Sequence, residues 1–357
     1  MPNGNSLSQI IKSERMETNT QIKTPGNDKN AAIETLRALA VTLVFVHHLY
    51  SGANIVLLPF IAHIGGWLGV QIFFVVSGYL IIISAKRYGI KDYTRHRFMR
   101  IYPAYIFWFL IFSLVFGQLT LQSLDTKALL AHLTFLQHLF PKYYYKYNAL
   151  FVSWTLTIEV AWYVIAFLCV TNFYRYPIKI TCISMAIAYA WIVLGLSDLV
   201  FNKSLDPNAK FFFANNNFVS QLPFFFFGAL IAVKSPRLDK TGLASIFLLT
   251  VILSPAWKPH FPDPIFITGF GVAALFLILK DISYENPKFV KLLSDISYSF
   301  YLIHYPIIVL VSKSIGDKTL VAIISILATV ALAFLSYQFI EQPFIRLAKR
   351  NPKVAIA

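Results

Sequence analysis

Long apolar runs fill the chain from residue 31 almost to its end, and short segments rich in Lys and Arg separate them. A helix needs about 20 mostly apolar residues to cross the hydrocarbon core of a bilayer. The pattern therefore predicts an all-α integral membrane protein with about ten transmembrane helices. The predicted spans are residues 33–49, 67–85, 101–119, 149–170, 178–200, 211–233, 243–256, 265–279, 292–312 and 320–339. The stretch 126–140 is shorter and mixed in polarity, which is typical of an interfacial helix.

The apolar runs form one predicted domain between two polar tails. Residues 1–30 are rich in Asn, Thr, Ser and Lys, and so polar a segment predicts a disordered tail. No short apolar run with a small-residue cleavage site precedes the body, so a signal peptide is not expected. Residues 31–346 are the predicted transmembrane domain, and residues 347–357 are a predicted basic cytoplasmic tail.

The composition excludes a water-soluble protein. Hydrophobic residues make up 57% of the chain and charged residues 13%, whereas a soluble domain carries roughly 25% charge. Cys169 and Cys182, the two cysteines of the sequence, both fall in apolar runs, and no Cys-x-x-Cys pair occurs. This pattern excludes a disulfide scaffold and gives no indication of a metal site.

The positive charge is distributed unevenly, and the formal net charge is +15. With the N-terminus in the cytoplasm and ten alternating spans, 22 of the 31 Lys and Arg residues fall in cytoplasmic segments and 8 in outer segments, while Arg37 lies within the first span. Since cytoplasmic loops carry an excess of Lys and Arg, this asymmetry predicts both termini in the cytoplasm and a multi-pass protein of the plasma (inner) membrane. The charge thus indicates topology and contact with anionic lipid or ligand rather than nucleic acid.

The first span holds three residues that are costly inside a membrane, Arg37, His47 and His48. A charge at the bilayer centre costs about 2.5–3.5 kcal/mol on insertion scales, so its presence indicates a function. Arg37 and His48 are eleven residues apart, close to three helical turns and roughly 16 Å, which places them on one helix face. An anion-binding group and a base would then lie along one stripe. The alternatives are a snorkelling anchor for Arg37 and a packing role for the histidines.

Two further intramembrane residues are candidates for chemistry. Glu159 is the only acidic residue of the fourth predicted span, and a lone intramembrane carboxylate is a candidate functional residue. It could instead be a structural partner of Arg37 or of a histidine. His304, in the ninth span, is open to the same two interpretations.

A basic segment before the third predicted span offers a site for phosphate. Arg97 and Arg100 are three residues apart and therefore neighbours on one helix face. The planar guanidinium group matches the geometry of phosphate oxygens. The pair could hold a phosphorylated cofactor at the membrane surface, although the segment also serves as a topology signal.

Six segments in chain order together resemble the motifs of the membrane-bound acyltransferase-3 family, which includes O-acetyltransferases of bacterial surface polysaccharides. The resemblance extends from about residue 33 to residue 346. The segments are 34–40 (Glu-Thr-Leu-Arg-Ala-Leu-Ala, followed by His48), 69–80 (Gly-Val-Gln-Ile-Phe-Phe-Val-Val-Ser-Gly-Tyr-Leu), 97–103 (Arg-Phe-Met-Arg-Ile-Tyr-Pro), 153–159 (Ser-Trp-Thr-Leu-Thr-Ile-Glu), 296–306 (Ile-Ser-Tyr-Ser through His-Tyr-Pro) and 341–344 (Glu-Gln-Pro-Phe).

The resemblance implies transfer of an acyl group, usually acetyl, from cytoplasmic acetyl-CoA to a sugar hydroxyl on a lipid-linked or nascent glycan. His48 would take the proton of the acceptor hydroxyl or carry the acyl group briefly, and Glu159 would orient or charge it. Arg37, Arg97 and Arg100 would hold the phosphates of CoA, and Ser77 could stabilise the oxyanion. No metal is expected. Additional site candidates are His47, Tyr102, Trp154 and His304.

The sequence departs from the family pattern at two positions, with Thr155 where Ser is common and Val160 where many relatives have an acidic residue. Some relatives carry an appended soluble esterase-like domain, and none is recognisable in this sequence. We therefore expect transfer to finish within the membrane body or with a partner protein. Two other functions are considered, a transporter or flippase of a glycan or anionic small molecule and a non-catalytic scaffold.

Overall fold

The computed structural model describes residues 31–349 apart from 121, 123, 198–205, 237–238 and 254–266. The predicted disordered tail at 1–30 lies outside the described residues, as do 350–357 and parts of the fifth, seventh and eighth predicted spans. Within the described chain the regular elements are helices, and no β-strand occurs.

Fourteen α-helices are resolved in the described ranges. They are α1 (Ala31–Ala53), α2 (Pro59–Arg87), α3 (Ile90–Val115), α4 (Thr126–Leu133), α5 (Pro141–Tyr144), α6 (Trp154–Arg175), α7 (Pro177–Leu196), α8 (Pro207–Asn215), α9 (Phe218–Lys234), α10 (Lys240–Leu253), α11 (Ile267–Lys280), α12 (Lys288–Ser314), α13 (Lys318–Ser336) and α14 (Gln342–Lys349). A 3₁₀ turn (Gln137–Leu139) precedes α5, and a π turn (Tyr337–Glu341) joins α13 to α14.

Eight helical segments of the described chain are long and apolar enough to cross a membrane. They are α1, α2, α3, α6, α7, the segment Phe212–Lys234, α12 and the continuous segment Lys318–Lys349. Helices α10 and α11 are apolar but shorter, and they lie at the seventh and eighth predicted spans. The predicted all-α membrane fold is therefore confirmed, whereas the count of ten and the cytoplasmic termini stay predictions.

The bounds of several predicted spans differ from the observed helices, and two of the differences bear on the site. The third span was predicted to begin at residue 101, but α3 begins at Ile90. Arg97 and Arg100 therefore lie within this helix, and both line a cavity between helices. The sixth was predicted as one helix, but it breaks between α8 and α9. The Asn217 side chain accepts hydrogen bonds from the backbone N–H groups of Val219 and Ser220 and so caps α9.

Helix α2 lies at the centre of the bundle and packs against α1, α6, α9 and α11, while α12 packs on the other side of α1. Close approach of α2 and α9 depends on two glycines. A Cβ at Gly78 would lie 1.9 Å from the carbonyl oxygen of Phe225, and one at Gly228 would lie 1.8 Å from that of Val75. The small residues let the two backbones touch, as is usual between membrane helices.

Candidate active site

Two neighbouring cavities lie around α2, and between them they contain most of the residues singled out in the sequence. The first, here called the arginine cavity, is lined by residues of α1, α2, α3, α6 and α12, including Arg37, Ser77, Arg97, Arg100 and Glu159. The second, the histidine cavity, is lined by α1, α2, α8, α9, α12 and the segment before and at the start of α6, including His47, His48 and Trp154. Arg37 and His48 therefore open into adjacent cavities, although both belong to α1.

The three arginines of the first cavity each have a different partner. Arg37 donates a hydrogen bond to the Ser297 hydroxyl over 2.8 Å, and Arg97 donates to the Ser84 hydroxyl over 2.7 Å. Arg100 forms the one charged pair, with 3.2 Å between its nitrogen and a Glu341 carboxylate oxygen. Arg97 also lies over the rings of Tyr93 and Tyr163, 5.8 Å from each centroid. Neither Arg37 nor Arg97 forms an ion pair among the described residues, so both can take an anionic partner.

The π turn after α13 brings Glu341 to Arg100. Such a turn adds one residue to the helical repeat and is frequent at functional sites. It carries the Glu341 side chain into the interior, where the carboxylate is fully buried. The other oxygen of Glu341 accepts hydrogen bonds from the backbone N–H and the hydroxyl of Ser299, at 3.2 Å and 2.6 Å. One oxygen thus accepts hydrogen bonds and the other has a cation at ion-pair distance, and both contacts offset part of the cost of burying the ion.

Glu159 lies in the arginine cavity and not beside His48. Ser77 and Tyr163 each donate a hydrogen bond to the same Glu159 oxygen over 2.8 Å. The structure therefore does not bring Glu159 next to His48, where the sequence predicted it. Helix α6 begins at Trp154 and carries Glu159 about one and a half turns beyond the histidine cavity. Ser77 is engaged by this carboxylate, which leaves the predicted oxyanion role without a geometric basis.

His48 is paired instead with His304. The Nδ1 atom of His48 is 2.7 Å from Nε2 of His304, and both rings are buried. Nδ1 of His304 lies 2.8 Å from the Tyr301 carbonyl oxygen and 3.2 Å from that of Phe300. Carbonyl oxygens only accept, so Nδ1 of neutral His304 must carry the hydrogen and Nε2 must accept.

The hydrogen-bond chain fixes the tautomer of His48. Because Nε2 of His304 accepts, Nδ1 of His48 donates, and Nε2 of His48 is left with the free lone pair. A neutral imidazole held in one tautomer by a second group is the arrangement of a general base. His47 has a separate role, since its Nδ1 lies 2.7 Å from the Ala62 carbonyl oxygen and ties α1 to α2.

Aromatic and amide side chains form the rest of the histidine cavity. Trp154, Phe151 and Phe212 supply ring surfaces, and Gln221 and Asn216 supply amides. Gln221 Nε2 donates to the Asn215 carbonyl oxygen, while its Oε1 is buried and makes no hydrogen bond among the described residues. Gln221 was missed at the sequence level, where the run of asparagines before it was the available signal.

Two sequence candidates, Tyr102 and His304, line neither cavity, although His304 contacts the histidine cavity through its hydrogen bond to His48. Tyr102 stacks on Phe98 at 4.4 Å between ring centroids and lines a separate apolar groove between α3 and α6. In the ranges that the structure covers, no group of three His, Cys, Asp or Glu side chains is placed to hold a metal ion.

Comparison with known proteins gives one family and several bacterial relatives. The model of the acyltransferase-3 family, described as an acyltransferase domain, matches residues 30–338. The chain is 28% identical over 356 residues to the O-acetyltransferase OatA of Staphylococcus aureus (strain NCTC 8325 / PS 47), covering 87% of this chain and 56% of that protein. It is 27% identical to the peptidoglycan O-acetyltransferase OatA of Listeria monocytogenes, covering 87% and 55%.

A third relative is the putative peptidoglycan O-acetyltransferase YrhL of Bacillus subtilis, which is 25% identical with 87% of this chain and 54% of the relative covered. The chain spans a little over half the length of the curated relatives it matches. No solved structure matches it.

Proposed function

The chain belongs to the acyltransferase-3 family, and from that membership we propose that it is a membrane-embedded O-acyltransferase. It moves an acyl group, acetyl in the first instance, from acyl-CoA to a hydroxyl of a cell-surface glycan or its lipid-linked precursor. The observation that carries the proposal is the pairing of an arginine-lined cavity with a cavity that holds a tautomer-fixed histidine.

The arginine cavity suits the donor. CoA carries several phosphate groups, and guanidinium groups bind phosphate through two parallel hydrogen bonds. The side-chain hydrogen bonds of Arg37 and Arg97 go to hydroxyl groups, and neither arginine forms an ion pair among the described residues, so both can take an anionic partner when the donor binds. The cavity lies towards the N-terminal half of α1, the end that the charge pattern predicts to be cytoplasmic, where CoA is available.

The histidine cavity suits the acceptor. Ring faces such as those of Trp154 and Phe212 can stack on the apolar face of a sugar, and the amide side chains of Asn216 and Gln221 line the same cavity. An alcohol is a poor nucleophile near neutral pH and needs a base. His48, which lines this cavity, has its Nε2 lone pair free for that purpose.

The chemistry follows from these two positions. Nε2 of His48 takes the proton of the acceptor hydroxyl while the hydroxyl oxygen attacks the thioester carbonyl carbon. The tetrahedral intermediate collapses with cleavage of the carbon–sulfur bond, and the CoA thiolate leaves and receives the proton from His48. His304 holds the donating side of His48 in place throughout.

The test is transfer of radiolabelled acetyl groups by the purified protein in detergent. We expect slow release of acetate without an acceptor, faster transfer when a peptidoglycan fragment or a lipid-linked sugar is added, and loss of both in His48→Ala. Binding of CoA without any turnover on either acceptor would contradict an acyltransferase. Movement of the unmodified glycan across the membrane of proteoliposomes would instead support the alternative function of a glycan transporter or flippase.

A further inference from the structure

Two side chains, Val70 of α2 and Tyr301 of α12, line both the arginine cavity and the histidine cavity. Each is only 7% exposed, so each fills the space between the two cavities instead of standing free in either. Given the proposed acyl transfer, on which this inference rests, the acyl group must come within bonding distance of the acceptor oxygen near His48. The donor phosphates, however, are held on the other side of these two residues.

The ring of Tyr301 is fixed between the two sides. It meets Phe73 of the arginine cavity edge-on, with 5.7 Å between centroids, and it lies 5.7 Å from the ring of His304, the partner of His48. Its hydroxyl accepts a hydrogen bond from Thr155, at 3.2 Å, on the arginine side. A ring held by contacts with α2, α6 and its own helix α12 is a rigid element of the wall.

Val70 completes the wall from the opposite helix. It is β-branched, so its χ1 angle is stiff in a helix and the side chain cannot swing aside freely. The next glycine towards the N-terminus, Gly69, packs against the Ala40 carbonyl oxygen, which holds this part of α2 tightly against α1. The wall between the two cavities is therefore built from two stiff side chains.

We infer that Val70 and Tyr301 form a constriction that sets the size of the acyl group passed from the arginine cavity to the histidine cavity, and so make the protein selective for short acyl chains. A short group such as acetyl fits between the two side chains, whereas each extra methylene must displace one of them. One methylene too many in a tight apolar site changes a rate about 10- to 200-fold.

The test compares acetyl-, butyryl- and hexanoyl-CoA as donors for the unaltered protein and for Val70→Ala. We expect the ratio of butyryl to acetyl transfer to rise at least about tenfold in Val70→Ala. Val75→Ala is the matched control, because it makes the same change in the same helix at a buried position that lines neither cavity. It should leave the ratio as it is.

A second pair of variants keeps the test independent of folding losses. Val70→Ile narrows the passage by one methylene and should reduce acetyl transfer while CoA still binds, and Tyr301→Phe keeps the ring and should keep the chain-length preference. If Val70→Ala folds and binds CoA but shows the preference of the unaltered protein, the constriction does not set acyl size. If the unaltered protein binds no acyl-CoA at all, the proposed function itself is wrong, and this inference is overturned with it.

Discussion

The arginine cavity and the histidine cavity share two wall residues but differ in the kind of polar group that lines them. The arginine cavity collects three guanidinium groups and Glu159, and the buried Glu341 balances one of the arginines. The lining residues that the structure describes for the histidine cavity include no Asp, Glu, Lys or Arg, and its polar groups are imidazoles and amides. One site is suited to attract an anion, and the other is suited to move a proton.

The contrast shows how a membrane protein separates two tasks that would interfere with each other. A base beside three cations would lose its affinity for protons, because like charges disfavour its charged form. A phosphate in the histidine cavity would find no cation to neutralise it. Placing the two groups on one helix, roughly three turns apart, keeps them within reach of one extended substrate but outside each other's immediate field.

The largest expected effect tests the histidine side alone. Replacement of His48 by Ala removes the proposed base, and loss of a general base costs about 10²- to 10⁴-fold in rate. We expect transfer to fall by that amount while CoA binding, measured by titration of the purified protein, stays within error of the unaltered protein. Equal loss of both properties would show that the two cavities are not functionally distinct.

The second prediction separates two arginines of the same cavity. Arg100→Ala leaves the fully buried Glu341 carboxylate without its charge partner, and breaking a buried pair on one side costs about 3–5 kcal/mol. Arg97→Ala removes a hydrogen bond to Ser84 and the contacts with the Tyr93 and Tyr163 rings, but it breaks no ion pair among the described residues. We therefore expect Arg100→Ala to unfold at a clearly lower temperature, and Arg97→Ala to fold normally and bind CoA more weakly.

Lysine variants control for charge in this comparison. Arg100→Lys keeps a cation beside Glu341 and should recover most of the lost thermal stability, which is measured by unfolding in detergent. Arg97→Lys keeps the charge but not the fork geometry, so it should recover part of the CoA affinity. If both alanine variants were equally stable, the Arg100–Glu341 pair would not be structural.

The third prediction tests the fixing of the tautomer. His304→Leu removes the acceptor for the His48 Nδ1–H, so His48 is free to adopt the wrong tautomer. We expect the rate constant to fall about 10- to 100-fold with little change in KM for acyl-CoA, less than for His48→Ala because the base is still present. His304→Gln offers a carbonyl oxygen in a similar place and should restore part of the rate. Equal rate constants for His304→Leu and His304→Gln would show that His304 does not position His48.

The sequence was sufficient to identify the chemical groups but not their pairing. Periodicity and the cost of intramembrane charge pointed to Arg37, Arg97 and His48, and all three line the cavities. The partner of His48 was assigned to Glu159, whereas the structure pairs it with His304, 256 positions along the chain. The relative register of α1, α6 and α12 decides this, and no local pattern encodes that register.

Two local features also escaped the sequence pattern. The break between α8 and α9 follows from side-chain capping by Asn217 within an otherwise apolar run, and hydropathy alone averages over it. The π turn at Tyr337–Glu341 has ordinary helical dihedrals at its ends and leaves the apolar run unbroken. Its effect, the burial of Glu341 against Arg100, depends on long-range packing that a single sequence does not reveal.

The last prediction concerns the region behind the histidine cavity, outside the membrane-spanning segments. His138 is buried against Trp154 and Phe213, at 6.0 Å and 5.1 Å between ring centroids, and neither ring nitrogen makes a hydrogen bond among the described residues. Burial lowers the pKa of His138 from 6.5 to about 3. An imidazole in this environment has to stay neutral for the segment between α4 and α6 to keep its packing.

The sign of the pH effect follows from where the proton binds. Well above pH 6.5 the histidine is neutral in both the folded and the unfolded protein and does not change the stability. Below that value the unfolded chain binds a proton that the folded protein does not, so stability falls as the pH drops towards 3, by about 2 kcal/mol at pH 5. His132, whose pKa burial lowers to about 4, acts in the same direction.

We therefore expect thermal unfolding in detergent to shift to lower temperature between pH 7.5 and pH 5, and His138→Leu to reduce that shift. The comparison at pH 7.5 is the control. His138 of the unaltered protein is neutral there in both the folded and the unfolded state, so a difference in unfolding temperature between the two proteins reports packing alone. CoA binding in the arginine cavity should survive at pH 5 while transfer falls, since Trp154 links His138 to the histidine cavity only. If the unfolding temperature of His138→Leu fell between pH 7.5 and pH 5 as much as that of the unaltered protein, another group would control the acid sensitivity. His138 would then not explain a difference between the two cavities in their response to pH.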